Sequence, residues 1–455
     1  MFKYRFSFII ILFFVNYLYS QNNSSFLLNI NYLVQICPVP INKSSKPISA
    51  GNITAGQKKL ITRQVLSNEN LSTIPYYIFM LTNLEYLDLS NNKLTSIPDE
   101  IKLLTKLKEI KLGNNLLTTF PQALINHPSI EIIDLSHNKI KSITGNFSTA
   151  YRIKKINLSF NQITSIENTI DKLPNLYEID LSRNKLENIK LNFASKNLTN
   201  LNLLDNRIAT ISDISNLPKL KQLILSDNKI KTLPKELFNL FAITELDVKS
   251  NYLDKLPDEI YKLNNLHKLD ISDNIFSELP TTMKKLYKLE ILYISYNKAQ
   301  LPMLVFELHQ LKELNIAGNH INKLNEKMSN LKKLTYLDLS YNEFKEFPVL
   351  LCSMRSIRTL NIANNFIRAI PSDIQKLVNL NALDLSNNSI KEFPNELSLL
   401  PNCKILFLAN NSIATLPDNL NQLYSLKVLR LNSNPLSTTE KEKARKLLAN
   451  VRISF

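Results

Sequence analysis

The stretch Leu84-Glu-Tyr-Leu87-Asp-Leu89-Ser-Asn-Asn92-Lys-Leu94-Thr-Ser-Ile97-Pro98 decides the fold, because the chain keeps returning to it. Its next copy places Leu107, Ile110, Leu112, Asn115, Leu117, Phe120 and Pro121 at the same offsets. The key asparagine, Asn92 and then Asn115, recurs as Asn138, Asn161, Asn184, Asn206, Asn228, Asn251, Asn274, Asn297, Asn319, Asn342, Asn365, Asn388, Asn411 and Asn434. Every step is 23 residues except three of 22. A degenerate copy precedes them, running Ile61-x-x-Gln64-x-Leu66-x-x-Glu69-x-Leu71-x-x-Ile74-Pro75, which makes seventeen. A register held that long means one supersecondary unit stacked on itself.

Each feature of the unit has a physical reading. Leu87 and Leu89 alternate as a strand with one buried face requires, and the residues between them face solvent. An asparagine carries both a donor and an acceptor, so it can satisfy a tight turn and reach the backbone of adjacent coils. One coil cannot bury its own leucines; stacking makes the core, and stability becomes a nearest-neighbour property. Seventeen parallel strands at roughly 4.8 Å spacing make a sheet about 80 Å long.

The pattern resembles leucine-rich repeats. Its form L-x-x-L-D-L-S-x-N-x-L-x-x-I/L-P is similar to the 23-residue class of Ras-associated repeat proteins and of many bacterial ones. The stretch from Asn138 to Asn206 lacks the proline and is closer to the 22-residue phosphatase-regulator class. The resemblance implies an α/β solenoid, a horseshoe of about 17 repeats. It would carry a parallel sheet on its concave face and short helical or irregular turns on its convex side. It also implies a surface that binds another macromolecule.

Composition agrees with repetition rather than with separate globular domains. The 455 residues contain five glycines, so asparagine and proline must make the turns. With 44% apolar residues there is ample core material. The three cysteines, Cys37, Cys352 and Cys403, form no C-x-x-C pair and no disulfide framework. Lys3 and Arg5 followed by the apolar run from Phe6 to Val15 have the layout of a secretory signal peptide over 1–20, with cleavage near Ser20. Residues 21–58 contain Pro38, Pro40 and Pro47 and read as a linker and N-terminal cap. The solenoid then spans 59–436. Residues 437–455 read as a closing helix, with Thr439-x-x-Glu442 as its capping box and an end near Ala449, followed by a short strand through Val451, Ile453 and Phe455.

Catalysis finds little footing. None of the five histidines sits in a metal or nucleophile motif, and no glycine-rich loop could cradle phosphate. Asp247 and Asp270 occupy one strand position in adjacent copies, but Asp88, Asp134, Asp180, Asp338 and Asp384 fill the same slot, so aspartate there belongs to the repeat. No cofactor and no metal are expected.

The residues 6, 4, 2 and 1 positions before each key asparagine should face the concave side. Across seventeen copies they hold seven basic and fourteen acidic residues, a net charge of −7, whereas the whole chain carries +16. The back and edges must therefore be strongly basic. That distribution disfavours nucleic acid in the concave groove and leaves a weak contact of the basic convex face with an anionic cell surface open. Aromatic departures from the consensus mark a candidate ligand site: Ile291, Tyr293 and Tyr296, then Tyr336 and Tyr341 across the small Ala317 and Gly318, with Ile405, Phe407 and Arg430 as a second patch. The expected function is a secreted or surface-displayed, non-catalytic protein that presents these side chains to a protein or glycan ligand. The alternatives are an envelope-associated structural protein held by its basic back, or an intracellular scaffold if the leader is not cleaved.

Overall fold

The computed structural model describes residues 60–166, 169–297 and 303–455, the side chains of 303 and 304 excepted. The chain divides into two units, Met1–Asn52 and Ile53–Phe455, and all described residues belong to the second. The expectations for residues 1–58, including the leader, lie outside the described residues.

In each copy the three residues centred on the second leucine form a strand, as in Tyr86–Asp88 or Glu245–Asp247. The central side chain is buried and its two neighbours face outward, as Leu87 and Leu246 show with no exposed surface. Each strand pairs in parallel with the next at one-repeat register, Leu87 opposite Ile110 and Leu246 opposite Leu269. Eighteen strands join in one sheet, from Arg63–Val65 to Arg452–Ser454. Seventeen belong to the repeats and the last closes the stack, so the solenoid reading of the sequence holds.

Behind the sheet eight coils among the described residues return through a short 3-10 turn entered from proline. Pro98 is extended, and Asp99–Leu103 then form the turn, with Ile101 pointing into the core. Proline fits this entry because its φ is fixed and its missing N–H leaves no donor to satisfy. Asparagine can take the entry instead, as Asn325 does before the turn Glu326–Asn330, whereas in two coils without proline Asn188–Lys190 and Thr210–Ser212 are extended and pair with each other as a small second sheet. With backbone N–H groups retained at that position, a second ladder can form.

The core is one continuous column from Leu66 to Leu448, to which every coil contributes leucine or isoleucine. Cys352 and Cys403 are buried in it as free thiols, and burial pushes them up to about 11 and about 12. They pack as small apolar groups.

The C-terminal closure differs from the expected one by two residues. The helix is Thr438–Leu447 and its N-cap is Ser437, whose hydroxyl accepts from the Glu440 amide at 3.2 Å. Thr439 therefore lies inside the first turn. Glu440 does not fold back to close a capping box; it accepts the Leu416 amide at 2.6 Å and ties the helix to the last coils. The strand Arg452–Ser454 pairs with Val428–Arg430, so the alternation of Val451, Ile453 and Phe455 is that of a closing strand.

Candidate binding surface

The key asparagines hold the coils together. Asn115 donates from Nδ2 to the carbonyls of Leu89 and Leu112, both at 3.0 Å, while its Oδ1 accepts the Leu94 amide at 2.9 Å. The same pattern repeats up the stack, for example at Asn251 and Asn411. Each asparagine thus satisfies buried backbone in its own coil and in the preceding one.

The residue just before each key position is held in the left-handed region, with φ between 51° and 65° in all seventeen coils. There an L side chain costs about 1–2 kcal/mol, least for asparagine and aspartate. Asparagine, aspartate or glycine occupies ten of these positions and serine two, Ser250 and Ser433; the five bulkier exceptions are His137, Phe160, Arg183, Tyr296 and Tyr341. They fall into two groups. His137 stacks on Phe160 with centroids 3.8 Å apart, and Arg183 lies over the other part of that ring at 4.4 Å. Tyr296 and Tyr341 have ring centroids 5.9 Å apart although a whole coil separates them. Gly318 is the intervening residue, at φ +63°, and a Cβ there would meet the Tyr296 ring at 2.5 Å.

Below this rim the slot four residues before the key asparagine is structural. Its carboxylate or amide oxygen accepts the amide two residues on, as Asp88 does from Ser90, Asp270 from Ser272 and Asn361 from Ala363. Burial together with the neighbouring Asp270 pushes Asp247 up to about 7, and burial raises Asp270 as well. Asp247 accepts the Lys249 amide, and Lys268 bonds Glu245 at 2.6 Å. The pair is therefore part of a bonded sheet surface. Among the described residues no group of three His, Cys, Asp or Glu side chains is placed to hold a metal ion.

Two parts of the expected site differ from the sequence reading. Tyr336 and Phe407, expected as exposed anchors, are only 5% and 7% exposed. Parallel strands place neighbouring side chains in direct contact, and long residues lie down along the sheet. Tyr336 donates to Asp338 at 3.3 Å, Tyr293 donates to Glu313 at 2.5 Å, and the Arg430 guanidinium covers Phe407 at 4.3 Å. Burial pushes Asp338 up to about 6 and raises the Tyr293 hydroxyl further above its usual range. Ile291, Tyr293, Tyr341, Ile405 and Arg430 are half-buried, and Tyr296 is exposed at the rim.

The comparisons with known proteins follow this geometry. Models described as leucine-rich repeats match residues 62–117, 82–140, 128–186, 333–354 and 355–413, and a leucine-rich repeat region matches 201–315. A leucine-rich-repeat protein of Leptospira interrogans is 32% identical, with a TM-score of 0.73 over 88% of this chain and 97% of that one. The chain is a leucine-rich-repeat protein. The plant peptide hormone receptor RGFR1, solved in complex with RGF2, is 26% identical with a TM-score of 0.52, over 80% of this chain and 69% of that one. InlJ of Listeria monocytogenes, at 20% identity and a TM-score of 0.54 over 87% and 73%, shares the fold. No curated relative matches the sequence.

Three residues of this leucine-rich-repeat protein that lie outside the expected site, Tyr252, Ile275 and Phe366, are 53%, 44% and 57% exposed. Each directly follows a key asparagine, a position outside the four taken as outward-facing. The left-handed residue lies two positions before each of them, at Ser250, Asp273 and Asn364, and a scan of that column for apolar residues would have found all three. The stack of His137, Phe160 and Arg183 also lies outside the expected site, since each residue alone is an ordinary substitution.

Proposed function

We propose that this protein is a non-catalytic binding protein, secreted or displayed at a cell surface, whose concave sheet and rim engage a protein or glycan ligand. The observation that carries the reading is the aromatic cluster on three successive coils, Tyr293 and Tyr296, then Tyr336 and Tyr341 across Gly318. Tyrosine offers a large rigid contact at small entropic cost, which is why it dominates binding hot spots. Tyr293 and Tyr336 serve as a bonded floor, while Tyr296 and Tyr341 form the contact edge. Ile405, Phe407 and Arg430 form a flatter second patch, with Arg430 as its accessible part. The basic start and apolar run of residues 3–15 support export, and a receptor of similar architecture was solved with its bound partner.

The test is N-terminal sequencing of the exported protein, then a ligand screen of the mature chain. Export with cleavage near Ser20 and a ligand lost on Tyr296→Ala with Tyr341→Ala are the expected results. Retention in the cytoplasm with an intact leader, or a ligand indifferent to both substitutions, would overturn it.

A second reading rests on the charge asymmetry. Lys284, Lys285 and Lys288 cluster on the turns behind the sheet near Tyr287, which is 72% exposed. A basic back can hold an anionic envelope surface. Release of the protein from cells by high salt is expected under this reading, and salt-resistant retention would sink it.

A further inference from the structure

The accessible apolar surface of the sheet is concentrated at its rim, on one run of coils. Tyr252, Ile275 and Tyr296 belong to three consecutive coils, and Tyr341 and Phe366 to the two that follow Gly318. At one strand spacing per coil this strip is about 25 Å long. It ends at a cavity of ≈ 450 Å³ whose lining includes Tyr341, Phe366, Lys345 and the bonded pair His320 and Glu343.

Two observations show that the strip is more than scattered aromatics. First, Tyr296 and Tyr341 stand in the left-handed column, where asparagine fits better. Strain of this kind persists where the surroundings over-determine it, and it gathers at working surfaces. Second, Gly318 leaves the space that the Tyr296 ring fills; any Cβ there displaces the ring. The backbone at φ +63° would accept asparagine, as it does in the coils ending at Asn365, Asn388 and Asn411.

The charge beside the strip indicates its occupant. In the outward positions of these coils Glu245, Asp247, Asp270, Asp273 and Glu313 outnumber Lys249 and Lys268, while Asp338 is fully buried and bonded. Asp273 is exposed in the left-handed column one coil before Tyr296. A neutral sugar chain can donate hydroxyls to these carboxylates but brings no positive charge to offset them, and an anionic one is repelled. Lysine and arginine side chains pair with them, and their charged heads also lie favourably on tyrosine faces.

We propose that the strip from Tyr252 to Phe366 is a docking site for an extended basic polypeptide. Its apolar side chains lie across Tyr252, Tyr296, Tyr341 and Phe366, and its lysines or arginines reach toward Asp273 and the sheet carboxylates. This rests on the reading of the solenoid as a binding protein, so the test separates the two.

The full chain is panned in parallel against a library of short random peptides and an array of neutral and acidic glycans. Enriched peptides should be net positive and should release as salt is raised. Their affinity should drop about tenfold or more in Tyr296→Asn/Tyr341→Asn and in Gly318→Asn. The thermal midpoint of the double variant should equal or exceed that of the wild type, because asparagine relieves the left-handed strain. Tyr424→Asn, on the turns behind the sheet, should bind as the wild type does. Enrichment of glycans alone, or of neutral or acidic peptides, overturns the basic-polypeptide assignment and leaves the binding reading standing. Basic peptides that bind all rim variants undiminished overturn the rim as their site. No binder from either library removes the binding reading and this proposal with it.

Discussion

At the scale of the residue, one asparagine per coil does work that no apolar residue could replace. Its amide donates to two carbonyls from different coils and its oxygen accepts a backbone amide of the preceding coil, all in buried surroundings. Asn251→Ala should therefore cost about 2–4 kcal/mol, because several buried backbone groups lose partners at once; urea unfolding measures it, and a loss under half of the lower figure would show that water replaces the side chain. The aspartates of the sheet behave differently. Asp247 is held up to about 7 by burial and by Asp270, against an ordinary value of 3.8. A carboxyl with a raised folded value contributes stability below its ordinary value and loses it as pH rises through the folded one. The wild type should therefore lose about 1–3 kcal/mol between pH 4 and pH 7 relative to Asp247→Asn. Asparagine can keep the bond from the Lys249 amide, as Asn157 does from Ser159. Parallel stability profiles of the two proteins across that window would disprove the coupling.

At the scale of the element, the terminal helix is fixed by a few bonds rather than by its own length. Ser437 caps it, Glu440 takes the Leu416 amide, and Lys443 donates to the Leu416 carbonyl at 2.6 Å. Ser437→Ala should cost about 1 kcal/mol, within the usual range for an N-cap, and hydrogen exchange should accelerate first in Thr438–Leu447. Uniform acceleration along the chain would instead mean that the helix and the coils open together. The cap also illustrates where reading a sequence reaches its limit. Ser437 and Thr439 are both acceptable caps, and Glu440 and Glu442 both lie three residues on. Only the demand of the unpaired Leu416 amide in the preceding coil selects the first frame.

At the scale of the whole molecule, the stack needs an end. The last coil presents Leu431 and Leu436 to the closing helix and strand, which leave them almost fully buried. Deleting residues 437–455 should expose that surface, lower the thermal midpoint and broaden the transition, since repeats are coupled chiefly to their neighbours. An unchanged, sharp transition in calorimetry would show that the last coil closes itself. The same scale sets the electrostatics: an acidic sheet and a basic back arise from many small choices, and neither follows from any single repeat.

The sequence by itself determined the solenoid, its seventeen coils, the parallel sheet and the asparagine ladder, because a strict period leaves only one way to bury Leu87, Ile110 and their counterparts. It also located the aromatic departures at Tyr293, Tyr296, Tyr336 and Tyr341. Only the tertiary structure decided which of them are accessible. Tyr336 lies against Asp338 of its own strand, and packing between adjacent strands lays Phe407 under Arg430. Tyr296 and Tyr341 are themselves left-handed residues at the rim, and Tyr252 and Phe366, two positions after such a residue, are exposed. Periodicity fixes what each residue must bury, whereas exposure depends on neighbours 22 or 23 positions away.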